Sequence, residues 1–172
     1  MKQEMVDIAR NLLEQNMALK AGEQFLIVVD ETTLTIGDAL FRAGVQLGGK
    51  TILMRMQRTG RSGAEPTEAV ATAMAAADVV IAATCDSLSH TKAVAGARIA
   101  TMPGIKEDVF SGGAMQADYT QVAALAHKLV EKLTAAKEAV IEKDGCRLTM
   151  SLAGRDGAAC TGMCQEKGAF GN

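Results

Sequence analysis

A chain of 172 residues, 48% of them hydrophobic, is long enough to bury one self-sufficient core. Its net charge of −2 and sequence pI near 5.7 argue against nucleic acid or an anionic membrane as a partner, because both require a basic surface. Only 3% of the residues are aromatic, so platforms for base stacking are not expected either. The amino terminus lacks the order of a signal peptide, and no apolar run approaches the ~20 residues of a membrane span, which predicts a cytoplasmic protein.

In the first part of the chain, apolar residues alternate between helical spacing and short continuous runs. Helical spacing predicts an amphipathic helix over residues ~3–19. The apolar run 25–29 predicts a strand that is buried on both faces. A second helix, capped by Thr32 or Thr33, leads into a second strand over 51–56.

The middle of the chain continues this alternation of helices and strands. The predicted order is a polar loop over 57–65, an Ala-rich helix that ends at Ala77, a third strand over 78–83, a short helix from about His90, a fourth strand over 98–102 and a small helix over 105–110.

A long amphipathic helix and a hairpin follow. Asp118 starts a helix that runs to about residue 136, and Asp144-Gly145 predicts a tight turn between strands over 138–143 and 146–152. One face of the helix is lined by apolar residues: Val122, Leu125, Ala126, Leu129, Val130 and Leu133. Strands and helices that alternate before a final hairpin predict an α/β fold, in which a mostly parallel twisted sheet of the flavodoxin or Rossmann-like type carries helices on both faces.

The composition changes near the carboxyl-terminal end of the chain. Residues 1–153 are predicted to form the α/β domain, whereas 154–172 are punctuated by glycine, lack a periodic apolar face and predict a strap or interdomain linker. Cys160 and Cys164 in this segment stand four apart with no histidine near them. Their spacing is not that of a zinc site, so we expect free thiols.

Two cofactor patterns fail on structural context. The segment 44–51 (GVQLGGKT) satisfies the Walker A pattern, but a helix precedes it and a strand follows it, which is the reverse of a phosphate-binding loop. The first strand is followed by 30–33 (DETT), without the glycine that a dinucleotide pyrophosphate requires. We therefore predict no nucleotide, nicotinamide or flavin cofactor in this chain.

Polar side chains follow the first and third predicted strands. Asp30 comes after the first, and Asp86, Ser87, Ser89 and His90 come after the third. Ligands of open α/β sheets bind outside the carboxyl ends of the strands, so all five are candidates to face a ligand, and Ser89 and His90 are expected to be partly exposed on one concave surface shared with the Asp30 loop. The alternative is that Ser87 or Ser89 caps the next helix and His90 merely begins it. The sequence contains no metal-ligand spacing and no residue that it identifies as catalytic.

Several segments of the chain resemble the N-terminal domain of aminopeptidase T-type metallo-aminopeptidases. The most specific are 87–91 (SLSHT) and 97–105 (ARIATMPGI). Further similar segments are 77–81 (ADVVI), 117–119 (ADY), 148–155 (LTMSLAGR), in which the family would carry an acidic residue in place of Ala153, and 168–172 (GAFGN), which is similar to the segment that leads into the metal-binding half.

The resemblance implies the N-terminal domain of a cytoplasmic, homodimeric enzyme that removes N-terminal residues from peptides. Two divalent metals of the zinc or cobalt class would be held by Glu, His and Asp of a C-terminal domain, and they would supply the hydroxide that attacks the peptide bond. That domain lies outside these 172 residues, so the chain would contribute a cavity wall and a dimer surface, and it would be inactive alone. Related iron-dependent dihydroxypyridine dioxygenases share the architecture and are the rival enzyme class. A stand-alone binding or assembly domain without catalysis is the third interpretation.

Overall fold

The computed structural model describes residues 3–94 and 96–171, which contain a five-stranded parallel sheet and a separate two-stranded antiparallel hairpin. This confirms the predicted α/β class. None of the helices in these residues is both long enough and apolar enough to cross a bilayer. The regular elements are α1 (Gln3–Asn11), β1 (Gln24–Val29), α2 (Leu34–Gln46), β2 (Lys50–Arg55), α3 (Glu68–Ala76), β3 (Val79–Ala83), β4 (Arg98–Thr101), α4 (Glu107–Phe110), α5 (Tyr119–Ala135), β5 (Glu138–Lys143), β6 (Cys146–Ser151) and β7 (Phe170–Gly171).

The strands of the large sheet lie in the order β2-β1-β3-β4-β7, and every neighbouring pair is parallel. Strand β1 pairs with β2 from Gln24 opposite Lys50 to Val29 opposite Arg55, and on its other side it pairs with β3. Because all five strands run in the same direction, their carboxyl ends lie along one edge of the sheet, and the loops that leave them meet there.

The sheet is covered on both faces because alternate side chains of its central strands point in opposite directions. Phe25, Ile27 and Val29 of β1 pack with α1, α2 and α4, whereas Leu26 and Val28 pack with α3 on the other face. A strand with two covered faces must be apolar at every position, which is why β1 reads as a continuous hydrophobic run.

Two local features at the start of the chain differ from the sequence prediction. The first helix is α-helical only to Asn11 and continues as a π-helical turn, Leu12–Asn16. Thr33 precedes α2 as predicted, but its side chain makes no capping bond. The Thr33 hydroxyl instead donates to the carbonyl oxygen of Ala83 at 2.5 Å, because β3 lies beside β1 in the sheet.

The chain divides into two compact units, Met1–Ala117 with Gly162–Asn172, and Asp118–Thr161. The predicted Gly-rich segment 154–172 is therefore divided between the two units at residues 161 and 162. Its predicted beginning after residue 153 stays a prediction. Residues after Thr161 are integrated into the first unit, where Cys164 is buried and its backbone N–H donates to the carbonyl oxygen of Asn16 at 2.7 Å. The short strand β7, which the sequence did not predict, pairs with β4.

The second unit contains α5 and the β5–β6 hairpin. Asp118 caps α5 as predicted, accepting from the backbone N–H groups of Thr120 and Gln121 at 3.0 and 3.3 Å. These bonds, first that from the Gln121 backbone, lower the pKa of the Asp118 carboxyl. The hairpin turn is also confirmed, since Asp144 and Gly145 both have positive φ, 51° and 78°.

The predicted apolar stripe of α5 is not buried, because α5 has no buried residue. Leu125, for example, is 59% exposed. The hairpin has the same character, since Ile141 pairs with Leu148 on one face and both are exposed. The exposed large apolar residues of the unit are Val122, Leu125, Leu129 and Leu133 on α5, and Val140, Ile141, Leu148 and Met150 on the hairpin.

The Walker-like segment 44–51 has the reversed order that the sequence indicates, with α2 before it and β2 after it. Its first glycine has a packing role. A Cβ on Gly44 would lie 2.6 Å from Oγ1 of Thr51 and 2.7 Å from Cδ1 of Phe25, distances at which one side must move. Gly44 therefore allows α2 to approach the sheet closely.

Replacing Gly44 with Ala is expected to destabilise the protein by about 1–3 kcal/mol, because the added Cβ would overlap the fully buried Phe25 ring and the Thr51 hydroxyl. Helix propensity alone would predict the opposite change, since Ala is the better helix former by about 1 kcal/mol. A loss of stability would therefore indicate the packing effect. Arg42→Ala, at an exposed position of α2, is the control and should change the free energy of unfolding by less than about 0.5 kcal/mol. Urea denaturation measures both, and an unchanged or more stable Gly44→Ala variant would contradict the packing role.

Candidate functional site

The loops that follow β1, β2, β3 and β4 are joined by hydrogen bonds at the carboxyl edge of the sheet. The backbone N–H of Cys85 donates to Oδ2 of Asp30 at 2.5 Å, which links the loops after β3 and β1. The backbone N–H of Gly60 donates to Oδ2 of Asp86 at 2.9 Å, which adds the loop after β2. Gly104 N–H donates to the carbonyl oxygen of Thr84, which adds the loop after β4.

Asp30 is 1% exposed and lies at the centre of these links. Its Oδ1 accepts from the backbone N–H of Thr32 at 2.9 Å and from the Thr32 hydroxyl at 2.6 Å, while Oδ2 accepts from Cys85. A buried carboxylate requires such donors, because its desolvation is otherwise very unfavourable. The carboxylate therefore ties two loops together at the edge.

Asp86 is held by the loop that follows β2. It accepts from Nε and Nη2 of Arg58 at 3.3 and 3.2 Å and from Gly60 N–H, and its side chain is 12% exposed against 41% for Arg58. The bond from Arg58 lowers the pKa of the Asp86 carboxyl, and the same bond raises the pKa of the Arg58 guanidinium. The pair is ionised at neutral pH and fixes the Arg58 side chain across the edge.

Ser87 and Ser89 belong to a row of hydroxyl groups that runs inward from the edge. The Ser87 hydroxyl donates to Oγ of Ser89 at 2.8 Å, and the hydroxyls of Ser89 and Thr101 share a hydrogen bond of 2.8 Å. The next helical turn is the 3-10 turn Lys92–Val94, and its first N–H donates to Oε1 of Glu65. The capping alternative for Ser87 and Ser89 stays a prediction.

His90 is exposed and lies in the same loop as Ser89, whereas Ser89 itself is buried. The expectation of a partly exposed Ser89 is therefore wrong. The Asp30 and His90 loops do leave the same edge of the sheet, as the bond between Asp30 and Cys85 requires. The ligand-facing role of Asp30, Asp86, Ser87, Ser89 and His90 stays a prediction.

A second polar region lies at the opposite, amino edge of the sheet and was not singled out from the sequence. A cavity of about 390 Å³ opens there, beside the ion pair of Arg98 with Glu23. The buried Arg98 guanidinium also donates to the carbonyl oxygen of Ala18 at 3.1 Å, so it joins β4 to the segment before β1. One sequence signal could have found it, since a charged arginine stands at the start of a predicted buried strand. The other charged residues of the cavity wall are Lys20, Asp78 and Lys167.

The metals that the resemblance implies find no fitting donor set here. Within residues 3–94 and 96–171, no group of three or more His, Cys, Asp or Glu side chains is placed to hold a metal ion. The two acidic groups nearest the His90 loop are already engaged, Asp30 by backbone donors and Asp86 by Arg58. No metal-dependent step can therefore be derived from the described side chains. All four cysteines of the chain lie in this described part, and none of them forms a disulfide bond there.

Solved structures share this fold, among them the following two. The first is 2,5-dihydroxypyridine dioxygenase from Pseudomonas putida KT2440, which matches 97% of this chain with a TM-score of 0.66 and 15% identity. The second is wild-type AmpT from Thermus thermophilus, an aminopeptidase, which matches 80% of the chain with a TM-score of 0.53 and 10% identity. At these identities the likeness shows the fold alone. The chain spans about half the length of either protein, 52% and 50%.

No protein-family model matches the chain, and no curated protein matches its sequence.

Replacing Asp30 with Ala is expected to lower the free energy of unfolding by about 3 kcal/mol, because it leaves the N–H groups of Thr32 and Cys85 without their charged acceptor. Glu31→Ala is the control, since Glu31 is exposed beside it and its removal should change the stability by less than about 0.5 kcal/mol. Chemical denaturation compares the two variants. Equal, small effects would show that the Asp30 carboxylate does not hold the edge together.

Proposed function

We propose that this chain is the N-terminal α/β half of a metal-dependent aminopeptidase related to aminopeptidase T. In this proposal it supplies a wall of the substrate cavity and a dimer surface, while a C-terminal domain carries the divalent metals of the zinc or cobalt class. The substrate is a peptide with a free N-terminus. The His90 loop, at the carboxyl edge of the sheet, faces the metal domain and the substrate.

The observation that carries the proposal is that this chain has the same fold as one half of two larger proteins. Both structural neighbours match most of this chain with about half of their own length. The described residues, for their part, contain no metal-holding cluster. A fold shared over this extent, without a metal site of its own, supports a non-catalytic half of a larger metalloenzyme. The aminopeptidase class is favoured by the segments 87–91 and 97–105, which resemble that family.

Exposed apolar side chains support a partner for the second unit. The α5 stripe and one face of the hairpin carry large apolar groups that this chain leaves in water. Contiguous apolar surface of this kind is typical of interfaces. In the proposal it is covered by the C-terminal domain of the same enzyme or by the second subunit of a homodimer.

One observation favours the rival dioxygenase class, since that protein matches more of the chain and with the higher TM-score. The two classes differ in the ligands of the metal domain rather than in the α/β half. The reading frame downstream of the codon for residue 172 separates them. A set of several carboxylates there supports the peptidase, whereas a histidine-rich iron site supports the dioxygenase.

The purified chain is expected to show no peptidase activity with added zinc or cobalt, because its described residues offer no metal cluster. The measurement is hydrolysis of an aminoacyl-nitroanilide across the peak of a size-exclusion column. A parallel assay measures oxygen consumption with 2,5-dihydroxypyridine and ferrous iron. Metal-dependent turnover that follows the protein through the peak would contradict the assignment of catalysis to another domain.

In the full-length enzyme that the proposal requires, His90→Ala is expected to raise KM by roughly tenfold with unchanged metal content, because one hydrogen bond to the bound peptide is lost. His127→Ala is the matched control, since His127 is also an exposed histidine but lies on α5. Steady-state kinetics give KM for both variants, and metal analysis gives their metal content. Equal kinetic constants in the two variants would remove His90 from the substrate-facing surface.

A further inference from the structure

Residues 57–65, here called the strap, cross the carboxyl edge of the sheet. The strap leaves the end of β2, and its last residue, Glu65, contacts Lys92 in the region after β3. Strands β2 and β3 are not neighbours, because β1 lies between them. The strap therefore passes over the carboxyl end of β1, where ligands of open parallel sheets bind.

The two ends of the strap are anchored by buried structure. Before it, the backbone N–H of Met56 donates to the carbonyl oxygen of Val29 at 2.9 Å, and the Met56 side chain packs on the core layer beneath α3. After it, Pro66 is buried. The strap is therefore fixed at both ends, and any opening motion takes place in the residues between Met56 and Pro66.

Between these anchors, polar bonds hold the strap. They connect it to the loop after β3 and to Lys92: Arg58 to Asp86, Gly60 N–H to Asp86, Ser87 N–H to Ser62 Oγ at 3.0 Å, Gly63 N–H to the Ser87 carbonyl at 2.8 Å, and Lys92 N–H to Glu65 Oε1 at 2.8 Å. Gly60 and Gly63 have positive φ, and a Cβ on either would meet no atom within 4 Å.

Such attachments open at a lower free energy than the sheet does. Exposed ion pairs and hydrogen bonds each contribute little, because water replaces them when they break. Segments with few buried apolar contacts open locally while the core stays folded. The strap has this character, whereas β3 is buried along its whole length and β1 is buried from Phe25 onward.

We propose that the strap is a gate over the carboxyl edge, which opens by releasing its polar bonds to the loop after β3 and thereby controls access to residues 85–89 of that loop, since His90 is already exposed. The inference rests on the proposed ligand-facing role of that edge. Cys85 is a natural reporter, since it lies in that loop and is half-buried.

The test is the rate at which N-ethylmaleimide alkylates Cys85, resolved by peptide mass spectrometry. The exposed Cys146 serves as the reference in the same molecule, and the buried Cys164 reports loss of the fold. The double variant Ser62→Ala with Glu65→Ala removes two acceptors that hold the strap and leaves Arg58 and Asp86 in place. Loss of two hydrogen bonds is expected to raise the Cys85 rate, relative to Cys146, by about tenfold.

Ser62→Ala with Glu65→Gln is the matched control, because glutamine keeps an acceptor for the Lys92 N–H and should give a clearly smaller increase. Trypsin cleavage after Arg58 or Arg61 measures opening independently and should rise with the Cys85 rate. If the double variant exposes Cys164, the single variant Glu65→Ala replaces it, with an expected increase of about threefold.

Two results would overturn the gate. One is a wild-type Cys85 that reacts as fast as Cys146, which would show that the strap covers nothing. The other is a strap that trypsin cleaves faster in the variant while the Cys85 rate stays unchanged. The alkylation assay contains neither peptide nor metal, so its outcome is independent of whether the aminopeptidase proposal holds.

Discussion

The carboxyl edge of this protein depends on one buried carboxylate. Asp30 follows the last residue of β1, and its burial demands donors for both oxygens. Thr32, in the loop after β1, donates twice to Oδ1, and Cys85, in the loop after β3, donates to Oδ2. The Thr33 hydroxyl adds a second link by donating to the carbonyl oxygen of Ala83, the last residue of β3. The position of the His90 loop is therefore a consequence of satisfying Asp30, and any function of that loop relies on the same bonds.

The sequence predicted the regular elements well where burial leaves a pattern. Strands with two covered faces must be apolar throughout, and Asp144-Gly145 demands a turn with positive φ, so both could be read directly. Strand β7 could not, because two residues carry no periodicity and their pairing is supplied by β4. The shortening of α1 and the π-helical turn after it likewise depend on tertiary packing rather than on the local sequence.

For the candidate site, the sequence identified the right edge and misjudged individual side chains. The parallel sheet alone places the loops after β1 and β3 together. Whether a polar residue there faces a ligand or a neighbouring loop depends on strand order, which the sequence does not state. Asp30 and Ser89 thus proved buried, whereas His90 proved exposed. Arg98, which joins β4 to Glu23 at the other edge, could not be placed from the sequence, because its partner Glu23 lies 75 residues earlier in the chain.

The second unit raises a different physical problem, since neither α5 nor the β5–β6 hairpin has a buried residue. An isolated two-stranded hairpin is marginal in water, and most helical stability comes from packing of an apolar face. The side chains of Leu125, Ile141 and Leu148 lack that packing within this chain. Covering them with another protein surface would add the missing hydrophobic stabilisation, at about 25 cal/mol per Å² of apolar area removed from water. The stabilisation gained on association would therefore be largest in this unit. The parallel sheet would gain little, because both of its faces are already covered.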